Sequence, residues 1–379
     1  MTITSTRRIV PGVAALALAL SLAACGGSSD DETSTDSTSS GDTSTGGDAA
    51  TGLSGTIAAG GSSAQETAQE AWRAGFGASN PDVTITYDPV GSGTGRDNFY
   101  SGAYAFAGSD SAISDEDLPK AQAACGNSDV IELPVFISPI DIIFNLPGVD
   151  SLNLDAATIA DIFNGTITTW NDDAIADQNP DVDLPDTAIS PVHRSDSSGT
   201  TDNFTDWLYQ ASGGAWATEH SSDWPTQGGE AAEKTSGVIG AVTDGEGTIG
   251  YADDSAVATT ELGVVSVKVG DTYVAPSADG AAVGLAASAP VEGRSASDLA
   301  YAINRTATDA GIYPVFMASY FIACSTYSDA ATADIVKAFG KYIVSDTGQK
   351  AAAANALSAP MPSDIAAKAD SILDGITAG

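Results

Sequence analysis

Residues 193–208, HRSDSSGTTDNFTDWL, set an arginine, a carboxylate, serines, a glycine and threonines directly before an apolar face, Phe204, Trp207 and Leu208, at helical spacing. The pattern predicts a helix whose first turn is stripped of bulk. The first backbone N–H groups of such a helix have no intrahelical acceptor and carry the positive end of its dipole, which is the chemistry of an anion site. A carboxylate inside that site needs a reason. Asp196, two residues beyond Arg194, can hold the guanidinium as a fixed fork aimed at anion oxygens. The simpler alternative is a helix N-cap aspartate.

Other segments end in the same small, hydrogen-bonding residues: Ser62 and Ser63 in AGGSSAQ, Gly91 to Gly93 in GSGTG, and Gly108 to Asp110 in FAGSD. Singly, each reads as an ordinary turn; their number and their placement at strand ends point to a shared ligand. Other chemistries lack their residues. GSGTG begins a dinucleotide fingerprint, but the sixth position is Arg96, and no GxxxxGK[ST] occurs. A nucleophilic hydrolase would need GxSxG or SxxK with a partner base, and His193 beside Arg194 has no evident orienting role. The chain has only two histidines, His193 and His220, and no Cys/His clustering at metal spacing, so neither a metal site nor a metal-dependent phosphatase is expected. No cofactor is implied.

The elements that must position these residues follow from periodicity. GTIAAGG, VTITYD and AYAFAGS read as strands, the first and second each followed by a helix. Ser63 with Glu66 fits a capping box, and Ala68, Ala71, Trp72, Gly75 and Phe76 form the apolar face of the first helix. Such units build a parallel sheet with ligands at the carboxyl ends of its strands. VIELPVFISPIDIIF, interrupted by Pro134 and Pro139, reads as a strand crossing between two lobes. TIADIFNGTITTWNDDAIADQNP predicts two short helices around Gly165, AISPVHRSD the strand that delivers the opening motif, and GEAAEKTSGVIGAVTDGEGTIGYADDS a helix and a strand. Near the end, GIYPVFMASYFIACS is strand-like, and residues 333–357 predict one amphipathic helix with Ile335, Phe339, Tyr342 and Ile343 on one face.

The chain opens with Arg7 and Arg8 and an apolar run, Val13 to Ala24, broken only by Ser21. The run is too short to span a bilayer and reads as a secretory signal over residues 1–24. Its end, LAAC, resembles a bacterial lipobox, which would make Cys25 the lipidated first residue of the mature protein; an ordinary cleavage nearby would leave Cys25 a free thiol. Gly26 to Leu53 holds 13 Ser or Thr, 6 Gly, 6 acids and no base. That composition predicts a self-repelling tether, so residues 25–53 would link lipid to body. Residues 54–379 have the length of two domains. Loss of residues 1–24 removes two arginines and no acid, taking the formal charge from −36 to −38. So acidic a body excludes nucleic acid bound through a basic face. An anion would have to be held by local dipoles. Cys125 and Cys324 either pair, closing a very long loop in an exported protein, or stay separate buried thiols.

Taken together, AGGSSAQ, GSGTG, FAGSD with ISDEDL, TIADIFNGTITTWNDDAIADQNP, HRSDSSGTTDNFTDWL and GTIGYAD resemble the phosphate-binding protein of the bacterial phosphate-specific ABC transporter over most of residues 54–379. The resemblance implies an α/β, two-lobed periplasmic-binding-protein fold that closes on one phosphate and hands it to a membrane permease. Lobe I would comprise residues 54–136 and 316–379 and lobe II residues 137–315, which puts both Cys125 and Cys324 in lobe I and favours their pairing. By the same resemblance the phosphate would be held by Ser63, the Ala64 amide, Ser92, Asp110, Arg194, Ser198, Gly199 and Thr200, with Asp196 orienting Arg194. The chain departs from the family pattern at Ala64, in place of a larger residue, and at His193, where arginine is common. A monomer anchored through Cys25 to the outer face of the cytoplasmic membrane is the implied setting. Three alternatives stay open: another oxyanion such as sulfate or arsenate, a phosphate sensor or scavenger, and a phosphoester hydrolase.

Overall fold

The computed structural model describes residues 52–379; the signal segment, Cys25 and all but the end of the predicted tether lie outside the described residues. In chain order the elements are β1 (Gly55–Gly61), α1 (Glu66–Ser79), β2 (Val83–Asp88), α2 (Ser92–Tyr100), β3 (Phe106–Ser109), α3 (Leu118–Ala124), β4 (Val130–Phe144), β5 (Ser151–Leu154), α4 (Ala156–Phe163), α5 (Asp173–Ala176), β6 (Ser190–Arg194), α6 (Gly199–Ala211), β7 (Glu230–Ala232), α7 (Lys234–Asp244) and β8 (Thr248–Asp253). There follow α8 (Asp254–Val257), β9 (Gly263–Val269), β10 (Thr272–Val274), α9 (Ala278–Ala286), β11 (Ala289–Pro290), β12 (Tyr301–Ala302), β13 (Phe316–Cys324), β14 (Thr326–Tyr327), α10 (Ala330–Val344), α11 (Asp346–Ala356), α12 (Ser363–Asp374) and β15 (Thr377–Ala378).

β1 pairs in parallel with β2 on one side and β3 on the other. The carboxyl ends of all three therefore reach one edge, and they are the ends that carry Ser62–Ser63, Gly91–Ser92 and Ser109–Asp110. Along the main path the strand order is β2-β1-β3-β13-β4-β8-β6-β7. β4 joins its two parts: Val130 to Pro139 pairs antiparallel with β13, and Ile140 to Phe144 with β8. Proline cannot donate to a ladder, and β4 is buried along its whole length. Its two prolines sit where the ladder is irregular anyway. The register slips between Ser319 and Tyr320, opposite Phe136 and Pro134, and Pro139 stands at the change of partner. β6 lies parallel to β8, so Arg194 arrives at a carboxyl end of the second part.

The core follows the predicted faces. Ala68, Trp72 and Phe76 of α1 are buried, as are Phe204, Trp207 and Leu208 of α6 and Ile335, Phe339 and Ile343 of α10. Gly75 and the half-buried Tyr342 complete the contact between α1 and α10, with no room for a Cβ between them. Two local expectations are corrected. Ser63 is not the cap of α1: the Ala64 and Gln65 N–H groups donate to Ser62 Oγ, because the Ser63 hydroxyl is drawn to Thr235. The helix expected over residues 333–357 is two helices. Ser345 takes an extended backbone, ends α10, and accepts the Gly348 N–H with its hydroxyl as the cap of α11.

A disulfide joins Cys125, after α3, to Cys324, at the end of β13, with Cα atoms 5.3 Å apart and a sequence separation of 199. Ser319 lies five residues up β13 from Cys324, about 17 Å along an extended strand. Chain entropy alone assigns a cross-link of this span roughly 5 kcal/mol. Reduction, or Cys125→Ala with Cys324→Ala, is expected to lower the urea unfolding midpoint while leaving ligand affinity under native conditions within about twofold. Denaturant titration and calorimetry on the same samples check both halves.

Candidate functional site

β6 ends at Arg194, which is 3% exposed. Its backbone N–H donates to Tyr251 Oη on the neighbouring β8 at 3.2 Å. Its side chain forms a fork with Asp196: Nε donates to Oδ1 at 2.7 Å and Nη2 to Oδ2. Asp196 Oδ1 also accepts the Lys234 N–H at 2.9 Å, and Lys234 holds a φ of 65°. Burial pushes the Asp196 carboxyl up, but the Arg194 hydrogen bonds and charge, with the Lys234 amide, outweigh it and hold the pKa below the ordinary carboxylate value. Asp196 is not the N-cap of α6. That place belongs to Ser198, whose hydroxyl accepts the Thr201 N–H at 3.3 Å. The Gly199 and Thr200 amides, at the start of α6, are left as the donors with no intrahelical acceptor.

Asp110 follows β3 and is 3% exposed. Its N–H donates to Ser92 Oγ at 3.1 Å. Oδ1 accepts from Ser319 Oγ at 2.6 Å and Oδ2 from Thr200 Oγ1 at 3.0 Å, while its carbonyl accepts from Asn203 Nδ2 at 2.7 Å. Thr200 and Asn203 belong to α6, so these bonds span the cleft between the two parts of the sheet. The Gly93 N–H adds another, to the Ser197 carbonyl at 3.0 Å. A Cβ at Gly91 or Gly93 would strike Asp196 or Ser197, and one at Gly199 would strike Asp110 and Ser111.

Ser63 reaches across the same cleft, with its hydroxyl 3.0 Å from Thr235 Oγ1 and accepting the Thr235 N–H at 3.2 Å. The Ala64 amide, which the family resemblance aims at the ligand, is taken by Ser62 Oγ at 3.1 Å. All the residues singled out at the strand ends thus line one closed cleft: Ser63 and Ala64, Ser92, Asp110, and the segment from Arg194 to Thr200. Cys125 and Cys324 lie away from it. Among the described residues no group of three or more His, Cys, Asp or Glu is placed to hold a metal.

Sequence reasoning missed Thr235, Ser319, Asn203 and Tyr251. Thr235 had a signal, since EKTSG is another helix start after a strand; Ser319, embedded in an apolar strand, had none. His193 packs its ring on Trp224, with centroids 4.7 Å apart, and its Nδ1 lies 2.9 Å from the Arg194 carbonyl. It therefore packs behind the strand end. Beside the cleft a chamber of about 830 Å³ is lined by Asp110, Arg96, Asp202, His220, Arg294 and Arg305, among others. Its third arginine, Arg305, is buried against Asp206, Asn203 and the Pro314 and Phe316 carbonyls. Chemically, the cleft offers amides and hydroxyls, one fixed guanidinium, and one buried carboxylate that in its ionised form can only accept.

The chain resembles known proteins in sequence and in fold. Residues 41–347 match a PBP superfamily domain. The chain is 35% identical over 334 residues to the phosphate-binding protein PstS2 of Mycobacterium bovis (strain BCG / Pasteur 1173P2), covering 84% of this chain and 86% of that one. It is 36% identical over 293 residues to the phosphate-binding protein PstS 3 of Mycobacterium leprae (strain TN), covering 75% and 77%. In fold it resembles a high-affinity periplasmic phosphate-binding protein solved with phosphate (PfluDING), at a TM-score of 0.66 and 23% identity over 84% of this chain and 93% of that one. A phosphate-binding protein from Stenotrophomonas maltophilia gives 0.62 at 18% identity over 84% and 94%.

At the chamber wall His220 Nδ1 lies 2.6 Å from Asp202 Oδ1, in the first turn of α6. The Asp202 hydrogen bond raises the imidazole pKa despite partial burial. On the other partner burial pushes up, but the His220 bond and charge prevail, so the Asp202 pKa is lowered. The stabilisation is thus complete between the ordinary carboxylate and imidazole values, lost on the acid side as pH falls from the ordinary carboxylate value through the lowered Asp202 value, and lost on the basic side as pH rises from the ordinary imidazole value through the raised His220 value. An NMR titration is expected to place the His220 midpoint above the free-histidine value of about 6.5, and Asp202→Asn to return it there.

Proposed function

Since the chain belongs to the PBP superfamily and, within it, to the family of PstS phosphate-binding proteins, we propose that it captures inorganic phosphate outside the cytoplasm and delivers it to an ABC transporter permease, without catalysing a reaction. The observation that carries this reading is Asp110. It is buried, and both its carboxylate oxygens already accept hydroxyl hydrogens, from Ser319 and Thr200. A ligand arriving between Ser92, Asp110 and the α6 start must bring a proton of its own for that carboxylate. Phosphate carries one or two near neutral pH; sulfate carries none. Sulfate would oppose charge with charge in a cleft closed to water, and sites built on this logic reject the ligand lacking the proton by about 10⁴ to 10⁵.

In this reading Ser63, Ser92, Ser198 and Thr200 supply hydroxyls, Ala64 and Gly199 amides, and Arg194, held by Asp196, the one full charge. Binding requires the Ala64 N–H to turn from Ser62 Oγ and the Ser63 and Thr200 hydroxyls to turn from Thr235 and Asp110. Those bonds hold the polar groups of the cleft when no anion does. Residues 54–136 and 316–379 form lobe I and residues 137–315 lobe II; the change of partner along β4 at Pro139 supports that boundary. Hinge closure about β4 encloses the ligand. Cys25 carries the lipid and residues 26–53 the tether, leaving a monomeric body in reach of its permease. Mass spectrometry of the mature N-terminus tests the anchor, for which a lipid-modified Cys25 is the expected result.

The function itself is tested by isothermal titration of the phosphate-stripped protein with phosphate and then sulfate. Tight one-to-one phosphate binding with no sulfate heat is expected; absence of phosphate binding refutes the reading. In Asp110→Asn the side-chain amide can donate to a fully deprotonated oxyanion. The variant is expected to lose at least a hundredfold in phosphate-over-sulfate preference, on the scale of a hydrogen bond to a charged group, and to lose less in phosphate affinity.

A further inference from the structure

By sequence Arg96 only breaks the sixth position of a dinucleotide fingerprint. In the structure it sits one turn along α2 from Ser92, on the same helix face. Its Nη1 donates to Ser109 Oγ at 2.7 Å, and that hydroxyl in turn donates to the Ser111 carbonyl at 2.6 Å, bracketing Asp110. Its Nη2 faces Ser222 Oγ at 3.5 Å, across the cleft. The Ser222 carbonyl accepts the Ser198 N–H at 2.8 Å, and Ser198 is the cap of α6. Among the described residues no carboxylate lies within ion-pair distance of Arg96. Its neighbours on the chamber wall differ: Arg294 is paired with Asp115 and Asp298, and Arg305 with Asp206.

We propose that Arg96 is a positioning residue that couples ligand binding to cleft closure. It ties the loop bearing Asp110 on one wall to Ser222, and through Ser222 to the Ser198 cap on the other. A guanidinium already held by acids, like that of Arg305, could not take this part. One Arg96 nitrogen is fixed on the Ser109 side, and the other meets its partner only when the walls come together. The fork is essential, because a lysine ammonium would keep the charge without spanning both hydroxyls. The inference rests on the phosphate reading for its ligand but makes its own kinetic statement. Arg96 slows release, whereas a charge acting at a distance would speed capture.

Stopped-flow phosphate binding and release would be measured on wild type, Arg96→Ala, Arg96→Lys, Ser222→Ala and the Arg96→Ala/Ser222→Ala double variant. Arg96→Ala is expected to raise the release rate about tenfold, near the value of one charge-assisted hydrogen bond, with association changed less than threefold. Arg96→Lys should not restore slow release, and Ser222→Ala should add little once Arg96 is gone. Unchanged release in Arg96→Ala, full rescue by lysine, or independent effects of the two substitutions would overturn the proposal. Hydrogen exchange of residues 194–200 without added ligand reads the same tie separately. It should accelerate in Arg96→Ala and in Ser222→Ala, and unchanged exchange in both would refute it. Wild type that binds no phosphate would refute the functional reading alone, and the exchange result would still decide on Arg96. Should Arg96→Ala fail to fold, Ser222→Ala decides by both readouts.

Discussion

A guanidinium taken almost wholly out of water costs several kcal/mol unless a counter-charge meets it, and Arg194 has one such partner, Asp196. The fork meets that cost and creates another constraint. A paired guanidinium contributes little net charge, so an anion brought to it must be stabilised mainly by something else. Apart from Arg96 on the cleft wall, the positive ends the cleft offers are helix starts and hydroxyls, which explains why the strand ends are built as they are. The chain needs several strands ending at one edge, each turning into a helix with small residues in its first turn. The parallel pairing of β1 with β2 and β3, and of β6 with β8, provides that edge on both walls. The Lys234 amide, aimed at Asp196 from the start of α7, extends the same device to the carboxylate of the fork.

The closed cleft also dictates residue size. At its glycines the walls meet backbone to side chain or backbone to backbone, as in the Gly93–Ser197 bond and the approach of Gly199 to Asp110. Any side chain at Gly91, Gly93 or Gly199 would hold the walls apart. A wedge there would lengthen every cross-cleft hydrogen bond together, including Thr200 to Asp110 and Ser63 to Thr235. Glycine in GSGTG thus serves wall contact, and the likeness of that stretch to a dinucleotide turn is incidental.

What was legible in the sequence was what local chemistry fixes. Small polar residues after an alternating apolar run mark a strand end, and four such runs marked residues 62–63, 91–93, 108–110 and 194–200, while the choice of Ser63, Ser92 and Asp110 within them came from the family resemblance. Two prolines within a long apolar stretch, Pro134 and Pro139, marked β4 as the crossing strand. What long-range packing decides was not legible. Ser62 and Ser63 are equivalent as cap candidates until Thr235 draws one of them across the cleft. Ser345 divides a helix that periodicity alone would continue, because a serine hydroxyl can cap a new helix as readily as it can bond back to the one before it. Ser319 is a single hydroxyl in FMASYFIAC, and only the antiparallel pairing of β13 with β3, Tyr320 opposite Ser109, brings it beside Asp110.

The formal charge overstates the field that a bound anion would meet. Burial, with the nearby Asp298, pushes Glu132 up to about 8, so it is largely protonated at neutral pH. Burial, with the charge of Asp110, pushes Asp253 up to about 7 despite its bond from Ser255. Asp141, buried on the crossing strand beside Asp254 and Asp253, is pushed well above the carboxylate range. Each of these groups lies in or against the sheet that frames the cleft, where an unscreened negative charge would do most harm. The exposed acids act through solvent, where at physiological salt a field decays over about 8 Å. An acidic exterior of this kind acts on the approach of an anion through solution, while the enclosed site is governed by the dipoles and the single fork within it.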